Sequence, residues 1–127
     1  MDLWSSTKVY PQALIVVDIN KLKILNDKEG HEAGDKQIKA VASVLIKTQR
    51  DNSEIMRTDG DEFMIYLVGY DEKKIVTYIH KISKDISAAL PNKNYNVSIG
   101  YAMITEQTSI DDAINDAITM INKSKGK

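Results

Sequence analysis

Apolar residues along this chain fall into two kinds of run. Residues 13–17, Ala-Leu-Ile-Val-Val, are continuously apolar and read as a short buried strand that stops at Asp18, Ile19 and Asn20. Runs 55–58 and 63–68 are also apolar and β-prone, and the Asp59-Gly60 pair between them is a hairpin signal. Residues 96–104 alternate enough for a fourth strand. Elsewhere the spacing becomes helical. Residues 21–27 read as a short helix and Gly30 to Gly34 as a break, after which 35–48 places Ile38, Val41, Ala42, Leu45 and Ile46 on one face. Segment 71–90 carries Ile75, Ile79, Ile82 and Ile86 along one stripe before Pro91 stops it. Ser109 is the expected N-cap of a last helix through Lys123, with Asp111 and Asp112 in its first turn. The order βαββαβα predicts an α+β fold, an antiparallel-containing sheet with helices packed on one side.

The polar positions add chemistry at the ends of these strands. Asp61 and Glu62 stand at the hairpin tip, and Asp18 ends the first strand. If those strands are neighbours, the three carboxylates converge on a hard cation such as magnesium or manganese, which prefers oxygen ligands and also holds phosphate oxygens. Any one of them alone reads equally as a solvated turn residue. The connection from Asn20 to Lys23 leads tightly into a helix start, where free backbone N–H groups can face phosphates. Read by themselves, Lys23 is a solvated helix lysine, Asn26 a helix-end residue, Asp35 an N-cap and His31 a structural residue.

Composition narrows the classes. The 127 residues fit one domain, 1–127, with no internal repeat or linker. Seventeen Lys plus Arg against 18 Asp plus Glu leave no broad positive field, which argues against polymeric nucleic acid as partner. The longest apolar run is far short of a bilayer span and the first twelve residues lack a signal-peptide pattern, so the expectation is a soluble, cytoplasmic chain without membrane contact. With no cysteine, chemistry must come from carboxylates, lysines and backbone.

Four blocks then carry a resemblance. Asp18-Ile-Asn-Lys-Leu-Lys-Ile-Leu-Asn-Asp27, Gly30-His31-Glu-Ala-Gly34-Asp35, Asp59-Gly-Asp-Glu-Phe63 and Val97-Ser-Ile-Gly-Tyr-Ala102 follow the order and spacing of GGDEF domains, the diguanylate cyclase family. Asp116, Lys123, Gly126 and Lys127 look like that family's closing helix. The resemblance implies the palm-like, ferredoxin-like fold of nucleotidyl cyclases. It also implies an activity: two GTP molecules, one held by each of two domains meeting face to face in a transient homodimer, condense into cyclic di-GMP with release of two pyrophosphates. In that reading the Asp18 carboxylate, the Ile19 carbonyl and Asp61 hold magnesium or manganese, and Glu62 completes the cluster or helps take the hydroxyl proton. Lys23 places charge on the phosphates, Gly60 lies in the substrate-binding turn, and Lys123 and Lys127 reach the γ-phosphate end. Asn26 and Asp35 choose the base, since a carboxylate can accept from both N1–H and the 2-amino group of guanine, which adenine cannot match.

The chain also departs from the family. Asp59 replaces the first glycine of the signature; aspartate tolerates turns, but its charge near a triphosphate opposes binding. Asn20 stands where many members carry Asp. Arg50 of the family's product-feedback motif is kept while Ser53 replaces its carboxylate, so that site is expected to be defective. Residues 1–12 show none of the motif of the family's first helix, which is expected to be absent. These departures keep open a catalytically degenerate module that binds nucleotide or a partner and transmits a signal. A bare ferredoxin-like interaction domain would leave the ordered motifs unexplained.

Overall fold

In the computed structural model, which describes residues 11–59, 61–92, 95–106 and 108–124, the strands and helices alternate as the spacing predicts. They are β1 (Gln12–Ile19), α1 (Leu22–Glu29), α2 (His31–Lys47), β2 (Ser53–Asp59), β3 (Glu62–Val68), α3 (Glu72–Ala89), β4 (Val97–Ile104) and α4 (Ile110–Ser124). The sheet order is β2-β3-β1-β4, and every neighbouring pair is antiparallel. β1 is apolar without a break from Ala13 to Val17 because β3 and β4 flank it on both sides and helices cover both of its faces.

That last point corrects the expectation of helices on one side only. Ala13, Ile15, Val17 and Ile19 point into the larger core, with Leu25 of α1, Val41 and Leu45 of α2, and Ile75, Ile82 and Ile86 of α3. Leu14 and Val16 point the other way, into a second core with Met64, Tyr66, Ala102 and the α4 residues Ala113, Ala117 and Ile121. A run apolar at five successive positions, 13–17, has two faces to bury, and one helical layer cannot cover both.

Two details of α2 also differ from the expectation. The helix begins at His31, so Gly34 lies inside it and is no break. Its buried face is Gly34, Gln37, Val41, Val44 and Leu45, which leaves Ile46 65% exposed. A mid-helix glycine costs about 1 kcal/mol relative to alanine. The reason for it here is contact: a Cβ on Gly34 would lie 1.8 Å from Asn26 Oδ1 of α1. The helix starts at α3 and α4 behave as expected, with Lys74 N–H donating to Asp71 Oδ1 (2.9 Å) and Asp112 N–H to Ser109 Oγ (3.0 Å).

Candidate functional site

The acidic strand ends meet at one end of the sheet. In the β1–β3 ladder Asp18 is the direct partner of Glu62, and in the β1–β4 ladder it is the partner of Ser98. Alternation along β1 puts Asp18 on the same face as Leu14 and Val16, at the end where the α4 core stops. One residue on, Ile19 N–H donates to the Asp61 carbonyl at 2.8 Å. Ile19 buries its side chain, so its contribution to any ligand would come through its carbonyl.

The hairpin that carries Glu62 is irregular in a useful way. Arg57 pairs with Phe63 but Asp59 pairs with Glu62, so the register slips by one residue at Thr58. Such a bulge re-aims side chains. Thr58 Oγ1 donates to Glu62 Oε1 at 2.8 Å and holds that carboxylate in place. Asp59 closes β2 instead of lying in the turn, so its tolerance of turn conformations is not what the fold calls on. Gly60 and Lys127 of the proposed site, and residues 1–10 where the family's first helix would begin, lie outside the described residues.

Beside the acidic end, α1 starts abruptly. Lys21 precedes it in the left-handed region, φ 58° and ψ 32°, an uncommon and strained conformation for a residue with a side chain. No side chain caps this helix start and no acidic residue occupies its first turn. Its first backbone N–H groups, Lys23 among them, are therefore suited to an anion. Lys23 itself is exposed.

The two base-choosing candidates lie on neighbouring helices, Asn26 on α1 and Asp35 on α2. Asn26 packs against Gly34, the residue before Asp35, and its Oδ1 is buried without accepting a hydrogen bond among the described residues. A buried acceptor left unpaired is costly, so this oxygen is open to a donor beyond the described residues. Asp35 is the fifth residue of α2 and exposed; it is not the helix N-cap, a position that Gly30 takes. Lys123 stands two residues beyond Ile121, which packs at Gly100, so the C-terminal end of α4 runs toward the Asp18 end of the sheet. Gly100 is glycine because the α4 backbone crosses it closely: a Cβ there would lie 2.1 Å from the Ala117 carbonyl oxygen.

Among the described residues no three His, Cys, Asp or Glu side chains converge closely enough to hold a metal ion by themselves. The opposed Asp18 and Glu62 still offer the hard oxygen donors that magnesium takes alongside carbonyl, water and phosphate oxygens.

A cavity of about 460 Å³ lies away from this end, between the start of β2 and α3, lined by residues including Arg50, Tyr70, Lys73, Lys74 and Tyr78. The Arg50 guanidinium stacks over the Tyr78 ring at 4.9 Å, and burial pushes the Tyr78 phenol above its ordinary range. Ser53 Oγ turns back to donate to the Arg50 carbonyl.

Sequence reasoning missed the supporting residues. Thr58 gave no signal because a bulge cannot be seen in a short apolar run. Ser98, whose Oγ donates to Asn20 Oδ1 at 3.0 Å, became meaningful only once β4 was known to pair with β1. Gln37 did leave a trace, as a polar residue one position from an apolar helical stripe.

Comparison with known proteins agrees with this architecture. The GGDEF domain of DgcB from Caulobacter crescentus, solved in complex with c-di-GMP, superposes with a TM-score of 0.82 at 26% identity, covering 91% of this chain and 72% of that one. An active GGEEF domain of a diguanylate cyclase from Vibrio cholerae superposes with a TM-score of 0.80 at 22% identity, covering 91% and 76%. The fold is thus the α+β fold of these cyclase domains. The model of the family "Diguanylate cyclase, GGDEF domain" matches residues 2–127, and the chain belongs to that family. The match starts ahead of residue 13, where the recognisable motifs begin. The probable diguanylate cyclase DgcJ of Escherichia coli K12 is 31% identical over 111 residues, 86% of this chain and 22% of that protein. An uncharacterised membrane protein of Staphylococcus epidermidis, SERP0413, is 25% identical over 123 residues, 91% of this chain and 35% of that protein. This chain spans between a fifth and two fifths of the length of these curated relatives. No helix among the described residues is long and apolar enough to cross a membrane.

Proposed function

We propose that this domain binds GTP with magnesium or manganese at the Asp18–Glu62 end of the sheet, and that two copies meeting face to face condense two GTP molecules into cyclic di-GMP. The observation that carries the reading is the register pair Asp18–Glu62, locked beside the Ile19 to Asp61 hydrogen bond and next to an uncapped helix start. Asp18, Asp61 and the Ile19 carbonyl hold the cation. A bound divalent cation neutralises charge at phosphorus and lowers the pKa of the attacking hydroxyl. The α1 N–H groups and Lys23 bind phosphate oxygens, with Lys123 and Lys127 at the far end of the chain of phosphates. Asn26 and Asp35 orient the guanine. Each 3′-oxygen forms a bond to the α-phosphorus of the opposite nucleotide as the bond to pyrophosphate breaks, and Glu62 completes the cation cluster or helps take the hydroxyl proton. A domain that consumes GTP works in the cytoplasm, where GTP is available.

A second reading, a regulatory module that binds GTP without turning it over, is favoured by one observation: Asp59 adds a carboxylate where the signature has its first glycine. The Arg50 site is also proposed to be weak for product, since Ser53 offers no charge and is engaged with the Arg50 carbonyl. Incubating the protein with GTP and magnesium and separating the products distinguishes the readings. Cyclic di-GMP with two pyrophosphates per molecule supports the cyclase. Unchanged GTP with cation-dependent binding supports the module, and neither binding nor turnover overturns both.

A further inference from the structure

We propose that Gln37 is a positioning residue for the nucleotide site, an inference that rests on the function proposed above for α1. Gln37 belongs to α2 and is fully buried, the single amide of that helix enclosed in an apolar core. Its carboxamide is engaged on both sides. Nε2 donates to the carbonyls of Asn92 (3.1 Å) and Tyr95 (2.8 Å), and Oε1 accepts from Asn92 N–H (2.9 Å). All three bonds reach more than 50 residues along the chain, to the connection between α3 and β4. A buried amide satisfied this fully fixes the geometry of what it binds.

What it binds in turn holds both ends of α1. Asn92 Nδ2 donates to Glu29 Oε2 at 3.3 Å, at the last residue of the helix. Asn96, the residue after Tyr95, offers its carbonyl to Asn20 N–H at 2.9 Å, immediately before the left-handed Lys21. Lys21 then accepts from Leu25 N–H at 3.0 Å to start the helix. α1 carries Lys23 and Asn26, so its placement decides where phosphate and base contacts fall. Packing gives this eight-residue helix few anchors: its buried residues are Leu22 and Leu25, with Asn26 lodged against Gly34. A helix this short is marginal by itself in water. The strained Lys21 conformation likewise persists only where its surroundings over-determine it. Gln37 touches neither ligand nor cation; it acts through Asn92, Tyr95 and Asn96.

The test compares the parent with Gln37→Leu, which removes all three bonds, and Gln37→Glu, which keeps the size but turns a carboxylate oxygen toward the Asn92 and Tyr95 carbonyls. An Ile82→Val or Ile82→Ala variant, whichever matches the melting temperature of Gln37→Leu, controls for plain loss of stability, because Ile82 lies in the core on α3. Two readouts are taken: amide hydrogen exchange at Asn20 and Leu25 without ligand, and GTP affinity with magnesium. We expect exchange at both amides to rise in Gln37→Leu and in Gln37→Glu. Affinity should fall about tenfold or more in Gln37→Leu, the scale of a small misplacement of binding groups, while the matched Ile82 variant keeps both close to the parent. Unchanged protection at Asn20 and Leu25, or a loss of affinity no larger than in the matched control, overturns the proposal. A parent protein that binds no GTP overturns the function assigned to α1 instead, and exchange at Asn20 and Leu25 then decides by itself whether Gln37 positions the helix.

Discussion

Asn26 and Gly34 interlock: the amide oxygen of one occupies the space that a side chain on the other would need, with only 1.8 Å between Oδ1 and an ideal Cβ. The contact joins α1 to α2 and sets Asn26 against the residue that precedes Asp35, so the glycine serves the contact between helices more than the helix that contains it.

This relationship separates two glycines that a sequence motif treats alike. Gly34→Ala gains helix propensity, about 1 kcal/mol, but must push aside the end of a short side chain. Its stability should change by less than about 1 kcal/mol while GTP affinity drops, because Asn26 is displaced. Gly100→Ala meets the Ala117 backbone carbonyl, which cannot yield without moving α4, and should cost about 2–3 kcal/mol. Urea denaturation with GTP titration of both variants checks the contrast.

Asp18→Asn and Asp61→Asn should each weaken cation-dependent GTP binding about tenfold or more while leaving the melting temperature near that of the parent. Both remove a charge at the end of the sheet and little packing, since neither carboxylate lies in a core cluster. Calorimetry with and without magnesium, next to thermal melts, reads the two effects apart. Thr58→Val should produce a smaller loss, because it frees the Glu62 carboxylate without removing it.

The strands were legible in the sequence because β1 and β3 are apolar runs with turn residues at their ends, and the hairpin because Asp59-Gly60 marks it. The site was legible only in part. Asp18, Asp61 and Glu62 announce themselves as carboxylates at strand ends, yet the facing of Asp18 and Glu62 depends on β1 pairing with β3, which no local pattern states, and the expected convergence of all three is not seen among the described residues. The second helical layer was missed because an all-apolar strand such as 13–17 looks the same whether one or both faces are covered by helices. The helix through Gly34 was missed because glycine is read locally as a breaker, whereas here a tertiary contact overrides propensity. The bonds of Gln37 join positions far apart in the chain, beyond the reach of any window.

Asp59 offers an electrostatic test. Its backbone closes β2 and pairs in register with Glu62; if its carboxylate lies within a Debye length of the phosphates, roughly 8 Å at physiological salt, it opposes their binding. Asp59→Gly should bind GTP more tightly and raise cyclic di-GMP formation, with the gain shrinking as salt is added. GTP affinity and product formation at two ionic strengths check this, and equal low-salt affinities would remove the penalty assigned to Asp59.

A guanine nucleotide held with a divalent cation at the Asp18–Glu62 end of the sheet is tested by calorimetric titration of the parent and Asp35→Ala with GTP and with ATP, each with and without magnesium. The account predicts magnesium-dependent binding of GTP, much weaker binding of ATP, and loss of that preference in Asp35→Ala. Equal affinity of the parent for both nucleotides, or GTP binding indifferent to magnesium, would contradict it.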